Sequence, residues 1–309
     1  MIFVEYLANK FYVISILTVL SATQLILCNN HLKKIYPTLH ENEDHSERNE
    51  GYTFLISGGY RPDEDKLLKY VVSIGAKQTT KFFGDSHFCA GSIVKPHVIV
   101  TAAHCVTKKI YGMSITRSVL VTAGTPNRFV KTPDTQVMKV KRYAVSKTTD
   151  LALIILQKNI TIDNITTGIL PIARKMPRTG MACTVLGWGR LFFHGPMPAE
   201  TMYVDLQVWS PILCATYEEY YLPSMLCAGF IRDPERDSCM GDSGGPLICD
   251  EKLYGVVAAG IGCGTPGFPG FYTNVYKFAR WIDENRAHKH EISLFLIAHM
   301  IFFVCVLSM

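Results

Sequence analysis

Several signatures are missing from this 309-residue sequence, and each absence removes a class of function. There is no Cys-x-x-Cys pair and no His-Glu-x-x-His, so the ten cysteines and ten histidines compose no recognisable zinc site. No block of basic residues occurs, and a net charge of +5 spread over this length gives no footprint for nucleic acid. Nothing repeats at a fixed period, so the chain is not a repeat array. Between residues 56 and 275 no long apolar run follows the 3.6-residue period of a helix. Short β-rich segments broken by Gly, Pro and polar turns fill that region instead. Tyr70-Val71-Val72-Ser73-Ile74, Val119-Leu120-Val121-Thr122-Ala123 and Tyr254-Gly255-Val256-Val257-Ala258 are examples. The expected fold class is all-β. One helix is expected near the end, where Phe278, Trp281 and Ile282 have helical spacing and would pack a closing helix on the sheet.

The length suits one large domain or two small ones, with 48% hydrophobic residues to form a core. Both ends differ in composition from the middle. In 1–28, Lys10 precedes the apolar run from Phe11 to Leu20 and the small residues Ser21, Ala22 and Thr23. That pattern reads as a secretory signal peptide, with an uncleaved signal-anchor as the alternative. Residues 29–55 gather Glu41, Glu43, Asp44, Glu47, Arg48 and Glu50, and are too polar to bury much; they read as a pro-segment. Within 291–309, the stretch from Ile292 to Met309 that follows Glu291 is nearly all apolar except His299 and two serines. Residues 291–309 read as a membrane anchor of barely sufficient length or as a removable GPI signal. The cysteine content fits an oxidising, extracellular compartment, although spacing alone leaves the connectivity open. Two sequons, Asn159-Ile160-Thr161 and Asn164-Ile165-Thr166, are candidate glycosylation sites at Asn159 and Asn164.

The chemistry concentrates in Asp237-Ser238-Cys239-Met240-Gly241-Asp242-Ser243-Gly244-Gly245-Pro246. Glycines around Ser243 let the backbone turn so that the amides of Gly241 and Ser243 can point at one spot, where they would hold an oxyanion. A serine is a poor nucleophile without a base. His104 supplies one, at the end of the β-branched run Val98-Ile99-Val100-Thr101-Ala102-Ala103-His104-Cys105. Asp150, just before the apolar run Leu151-Ala152-Leu153-Ile154-Ile155-Leu156, is the candidate orienting carboxylate. Alone, each residue has an ordinary reading as a turn, surface or strand-start residue. Together they make a His, Asp, Ser series in one of the known chain orders for acyl transfer.

These segments, with Ile56-Ser57-Gly58-Gly59, Gly187-Trp188-Gly189 and Pro269-Gly270-Phe271-Tyr272-Thr273-Asn274-Val275, make residues 56–290 resemble a trypsin-like serine protease domain of the chymotrypsin family. The resemblance implies two packed six-stranded antiparallel β-barrels with a short C-terminal helix and the active site between them. It implies a serine endopeptidase that forms an acyl-enzyme and acts on protein or peptide substrates. Protein protease inhibitors are implied as further partners, and a cofactor is not. It also implies the disulfides Cys89–Cys105, Cys183–Cys249, Cys214–Cys227 and Cys239–Cys263, which leave over Cys28 and Cys305, both in the terminal apolar segments.

Further roles follow from the resemblance. Asp237 falls at the base of the primary pocket and would select Arg or Lys, with Ser238 beside it and Gly260 and Gly270 as open walls. Alone it is a loop acid next to Arg236. Cleavage before Ile56 would free an α-ammonium to pair with Asp242. The sequence departs from the family at four places. Leu55 stands where Lys or Arg is usual and Ser57 replaces Val; Ala258 and Ala259 stand where Ser and Trp are usual. The expected consequences are an unusual activator, one hydrogen bond fewer on Asp150 and a looser subsite with weak turnover. The loop 124–138 has Asp134 as its only acid, so no calcium is expected there. The competing function is that of a catalytically silent protease homologue serving as an extracellular binding or adhesion protein.

Overall fold

The structure is a computed structural model that describes residues 58–77, 82–110, 113–116, 118–230, 233 and 235–286. The signal-peptide, pro-segment and C-terminal anchor expectations, with Ile56, Cys28 and Cys305, lie outside these residues.

Fourteen strands form among the described residues. The first eight are β1 (Val71–Ala76), β2 (His87–Lys95), β3 (Val98–Thr101), β4 (Thr107–Ile110), β5 (Met113–Thr116), β6 (Val119–Ala123), β7 (Gln136–Val145) and β8 (Ala152–Leu156). Six of them close into a barrel in the order β1-β2-β3-β8-β7-β6, and β4 and β5 form a separate antiparallel pair. The remaining strands are β9 (Ala182–Gly187), β10 (Met202–Val208), β11 (Met225–Gly229), β12 (Pro246–Cys249), β13 (Lys252–Ala259) and β14 (Gly270–Asn274). They close a second barrel in the order β10-β11-β14-β13-β12-β9. Every pairing in both barrels is antiparallel, so the two six-stranded barrels expected from the sequence are present.

The strand patterns show why these residues fold this way. Ala152 to Leu156 of β8 are all buried, as a continuous β-branched and aliphatic run should be when both faces meet protein. β7 alternates half-buried and exposed residues over most of its length, so Lys139 and Lys141 face solvent while Met138 and Val140 face the barrel. Closure leaves neither barrel with an edge available to another chain.

Three α-helices, α1 (Ala103–Val106), α2 (Pro211–Ala215) and α3 (Val275–Arg286), and a 3-10 turn at Leu68–Tyr70 complete the described fold. Ser210 caps α2 by accepting a hydrogen bond from the Leu213 amide, and Pro211 occupies the first turn. The closing helix, α3, lies against β8 of the first barrel and β13 of the second. Its buried residues are Val275, Ala279 and Ile282, whereas Phe278 and Trp281 are half-buried. The expected packing residues do meet the core: Ile282 is part of it, and the half-buried Phe278 and Trp281 pack against it beside Val275 and Ala279.

All four implied disulfides form, with Cα–Cα separations of 6.1 Å for Cys89–Cys105, 4.3 Å for Cys183–Cys249, 5.9 Å for Cys214–Cys227 and 5.1 Å for Cys239–Cys263. The first joins β2 to α1, and the last ties the Ser243 segment to the turn after β13.

Candidate active site

α1 is a single turn that follows β3, and it carries His104 outward while Cys105 and Val106 are buried. Both oxygens of Asp150 are used on this histidine. Oδ2 lies 2.7 Å from His104 Nδ1, and Oδ1 accepts the His104 backbone amide at 2.9 Å. Asp150 is itself held from the second barrel, since its carbonyl accepts the Thr273 hydroxyl of β14 at 2.9 Å. With Nδ1 donating to a carboxylate, the basic lone pair falls on Nε2. The imidazole is 44% exposed and the carboxylate 26%, so the pair opens to solvent on one side.

Ser243 is placed by backbone from both barrels. Its carbonyl accepts the Ala90 amide of β2 at 2.9 Å, and the Gly244 amide donates to Val257 of β13 at 2.8 Å. Cys105 Sγ, one residue from His104, lies 3.4 Å from the Ser243 carbonyl oxygen. This contact brings the histidine turn and the serine turn together. Gly244 has φ +81°, and a Cβ there would collide with Thr101 Oγ1. The amides of Asp242, Gly244 and Gly245 all donate to carbonyls. Those of Gly241 and Ser243 donate to none among the described residues, which leaves two unspent donors flanking the serine hydroxyl. Gly241 has φ +112°, and a Cβ there would come within 2.9 Å of Gly189 Cα and 3.1 Å of Met197 Cε. The sulfurs of Cys89 and Cys105 lie near His104 but are bonded to each other, so they offer a metal no thiolate.

Asp237 is 4% exposed. Its Oδ2 accepts the Gly264 amide at 3.2 Å, and the Ser238 hydroxyl lies 3.5 Å from Oδ1. Burial pushes this carboxyl up to about 7. The two expected glycines do stand at it: a Cβ on Gly270 would come 2.7 Å from Oδ1, and one on Gly260 would come 3.7 Å from Oδ2. Two glycines thus stand against a buried carboxyl, where a side chain on Gly270 would meet it.

The family model described as Trypsin matches residues 56–282. The chain belongs to the trypsin family. Human Kallikrein-4 is 37% identical over 199 residues, covering 64% of this chain and 77% of that one. Human Serine protease 1 is 33% identical over 236 residues, covering 75% and 90%. A solved structure of neuropsin, described as a serine protease expressed in the limbic system of mouse brain, aligns with a TM-score of 0.64 at 25% identity, covering 74% of this chain and 99% of that one. As a trypsin-family protein the chain is a serine endopeptidase, and its substrates are proteins.

Several residues around the trypsin-family site carry roles that the sequence did not disclose. Gly187 and Gly189 flank Trp188 because the fully buried Asp242 side chain occupies the space where their Cβ atoms would stand. Asp242 accepts the Gly189 amide at 2.8 Å and the Cys239 amide at 3.0 Å, and burial raises its carboxyl to about 6. His87, the first residue of β2, is buried with Nδ1 2.8 Å from the Ser73 hydroxyl and its ring edge-on to Trp188. Burial pushes it down to about 3, with the Arg128 charge adding to the shift, so it is a neutral imidazole. Nothing local in the sequence marks His87, and the segment 269–275 gives no sign of the bond from Thr273 to Asp150. Ala258 occupies the bulge between Val257 and Ala259, and Ala259 is exposed. Asn159 and Asn164 are both exposed, and Thr166 of the second sequon bonds to Asp163 at 2.6 Å.

Proposed function

We propose that this serine endopeptidase cleaves after Arg or Lys, with Ser243 as nucleophile, His104 as proton carrier and Asp150 as the group that orients the imidazole. In this reading Ser243 Oγ attacks the substrate carbonyl while Nε2 of His104 takes its proton. The amides of Gly241 and Ser243 hold the oxyanion of the tetrahedral intermediate. His104 then returns the proton to the leaving amine, an acyl-enzyme forms, and water completes the cycle through the same histidine. Asp150 has no proton to transfer; with both oxygens on His104 it stabilises the imidazolium.

The observation that carries the specificity is buried Asp237 between Gly260 and Gly270. A carboxyl raised to about 7 gains most from a cation that enters and pairs with it. A long Arg or Lys stem fits between walls that lack side chains. Asp242 supports a zymogen reading by the same physics. Its buried carboxyl has two amide donors and no ion pair among the described residues, and an α-ammonium at Ile56 would complete it.

The remaining parts of the reading are a signal peptide at 1–28, a pro-segment at 29–55, the protease domain at 56–290 and a tether at 291–309. They imply a secreted glycoprotein, modified at Asn159 or Asn164 and held at the outer cell surface. Among the described residues no helix is long and apolar enough to cross a membrane, and 291–309 lies outside them.

The test is a panel of peptide amides differing only in the residue before the cut, hydrolysed by a chain starting at Ile56. Arg and Lys substrates should exceed Leu and Phe substrates by on the order of 10²-fold or more in kcat/KM, from the ~3–5 kcal/mol that breaking a buried ion pair costs. Equal turnover across the panel would remove Asp237 from its role.

A further inference from the structure

The second barrel carries a cavity of about 460 Å³ whose lining joins an apolar floor to a cationic rim. Ile172, Met181 and Tyr254 supply the floor. Lys175, Arg178 and Lys252 stand exposed around it, and none of the three enters an ion pair among the described residues. Arg174 also borders the cavity but is already held by Asp283 of α3, with contacts of 2.6 and 3.0 Å. Asp250, on the β12–β13 turn, is the one acid among the described residues of the lining.

This cavity is distinct from the cleft around Ser243. Lys252 begins β13 and Ala259 ends it, roughly seven steps of ~3.3 Å, or ~23 Å, away. The Ala259 end adjoins Gly260 and the Asp237 pocket, and the Lys252 end holds the cavity. β9 runs the same way, since Met181 precedes its first residue and Gly187, beside Asp242, is its last.

We propose that the cavity is a docking site for an acidic peptide segment that carries an apolar side chain, presented by a separate protein partner. The volume lies at the lower end of the ~300–1,000 Å³ typical of ligand sites, enough to seat a side chain or two rather than a folded domain. Three unpaired cations select carboxylates, and the exposed position makes that attraction sensitive to salt. A purely polyanionic chain would use the rim and leave the floor idle. The floor therefore favours a peptide with an apolar anchor over a sulfated polysaccharide.

The test is direct binding, so its outcome does not depend on the activity or specificity proposed above. The probe is a short dye-labelled peptide alternating Glu with Leu and Phe, titrated against the full chain and read by fluorescence anisotropy. Two controls accompany it, the same peptide with Gly in place of Leu and Phe, and dextran sulfate. Saturable binding of the Leu/Phe peptide is expected, weaker at high salt and at least about tenfold weaker for the Gly peptide. The double variant Lys175→Glu/Lys252→Glu should weaken it by at least about tenfold, while its circular-dichroism spectrum stays that of the parent. Lys175→Gln alone should give a smaller loss in the same direction, which guards against a folding defect in the double variant. The proposal fails if binding does not saturate or if the charge reversals leave it unaltered. It fails equally if the Gly peptide or dextran sulfate binds as tightly as the Leu/Phe peptide, since the site would then be a general polyanion surface.

Discussion

Asp150 commits both carboxylate oxygens to His104, and that double contact makes a specific demand on the residue. Asp150→Asn keeps the shape but brings an NH₂ group against one of two donors, the backbone amide or Nδ1–H. The imidazole must then change tautomer or turn, and kcat at neutral pH should fall on the order of 10⁴-fold with KM little altered. A variant within tenfold of the parent would show that the carboxylate is not needed for orientation. Asp237 allows a different check, on stability. Its folded-state carboxyl is raised to about 7 from an ordinary value of 3.8, so the native chain binds the extra proton between those limits. The stability this contributes is complete below pH about 4 and is lost as pH rises through about 7. Asp237→Asn removes the titration, so the Tm of the variant should gain on that of the parent from pH 4 to pH 7. A constant difference across that range would contradict the burial assigned to Asp237. The sequence made Ser243, His104, Asp150 and Asp237 visible because each lies in a compact local pattern. Thr273, which holds the Asp150 carbonyl, is 123 residues away from it, and only the closure of the second barrel brings them together.

At the scale of elements, strand centres were legible and their ends were not. β6 coincides with Val119–Ala123, because a β-branched run meets polar residues on both sides. β13 begins two residues before its apolar run, at Lys252, because the ladder with β12 continues through the Cys249–Lys252 pair to the turn at Asp250 and Glu251. Both turn residues have positive φ, 45° and 54°, without a glycine to announce the hairpin. The β4–β5 pair was not foreseen, since Thr107-Lys108-Lys109-Ile110 reads as polar loop and its pairing is set by the partner strand. The other end of β13 bears on turnover. Ala259 pairs with Phe271 and is exposed, so the strand offers substrate no large apolar wall there. Ala259→Trp should raise kcat/KM on tri- and tetrapeptide amides by about tenfold, the equivalent of about 1.4 kcal/mol of added aromatic contact. An unchanged value would mean that upstream substrate residues do not run along this strand.

For the whole molecule, the trypsin family and the two-barrel architecture were readable from motifs that lie far apart in the chain, of which the His104 and Ser243 turns meet at the contact of Cys105 with the Ser243 carbonyl. The organisation of the termini was readable only as composition. The two scales connect at Asp242, a fully buried carboxyl beside Ser243 that the proposed activation would pair with the Ile56 ammonium. Such a pairing makes activity conditional on a cut that follows Leu55 rather than a basic residue. The most direct measurement is therefore fluorophosphonate labelling of protein from its native source, with peptide mapping of the adduct and N-terminal sequencing of the labelled band. The account predicts an adduct on Ser243 in a chain that begins at Ile56, and none after His104→Ala. A chain that begins at Ile56 and takes no label would contradict it.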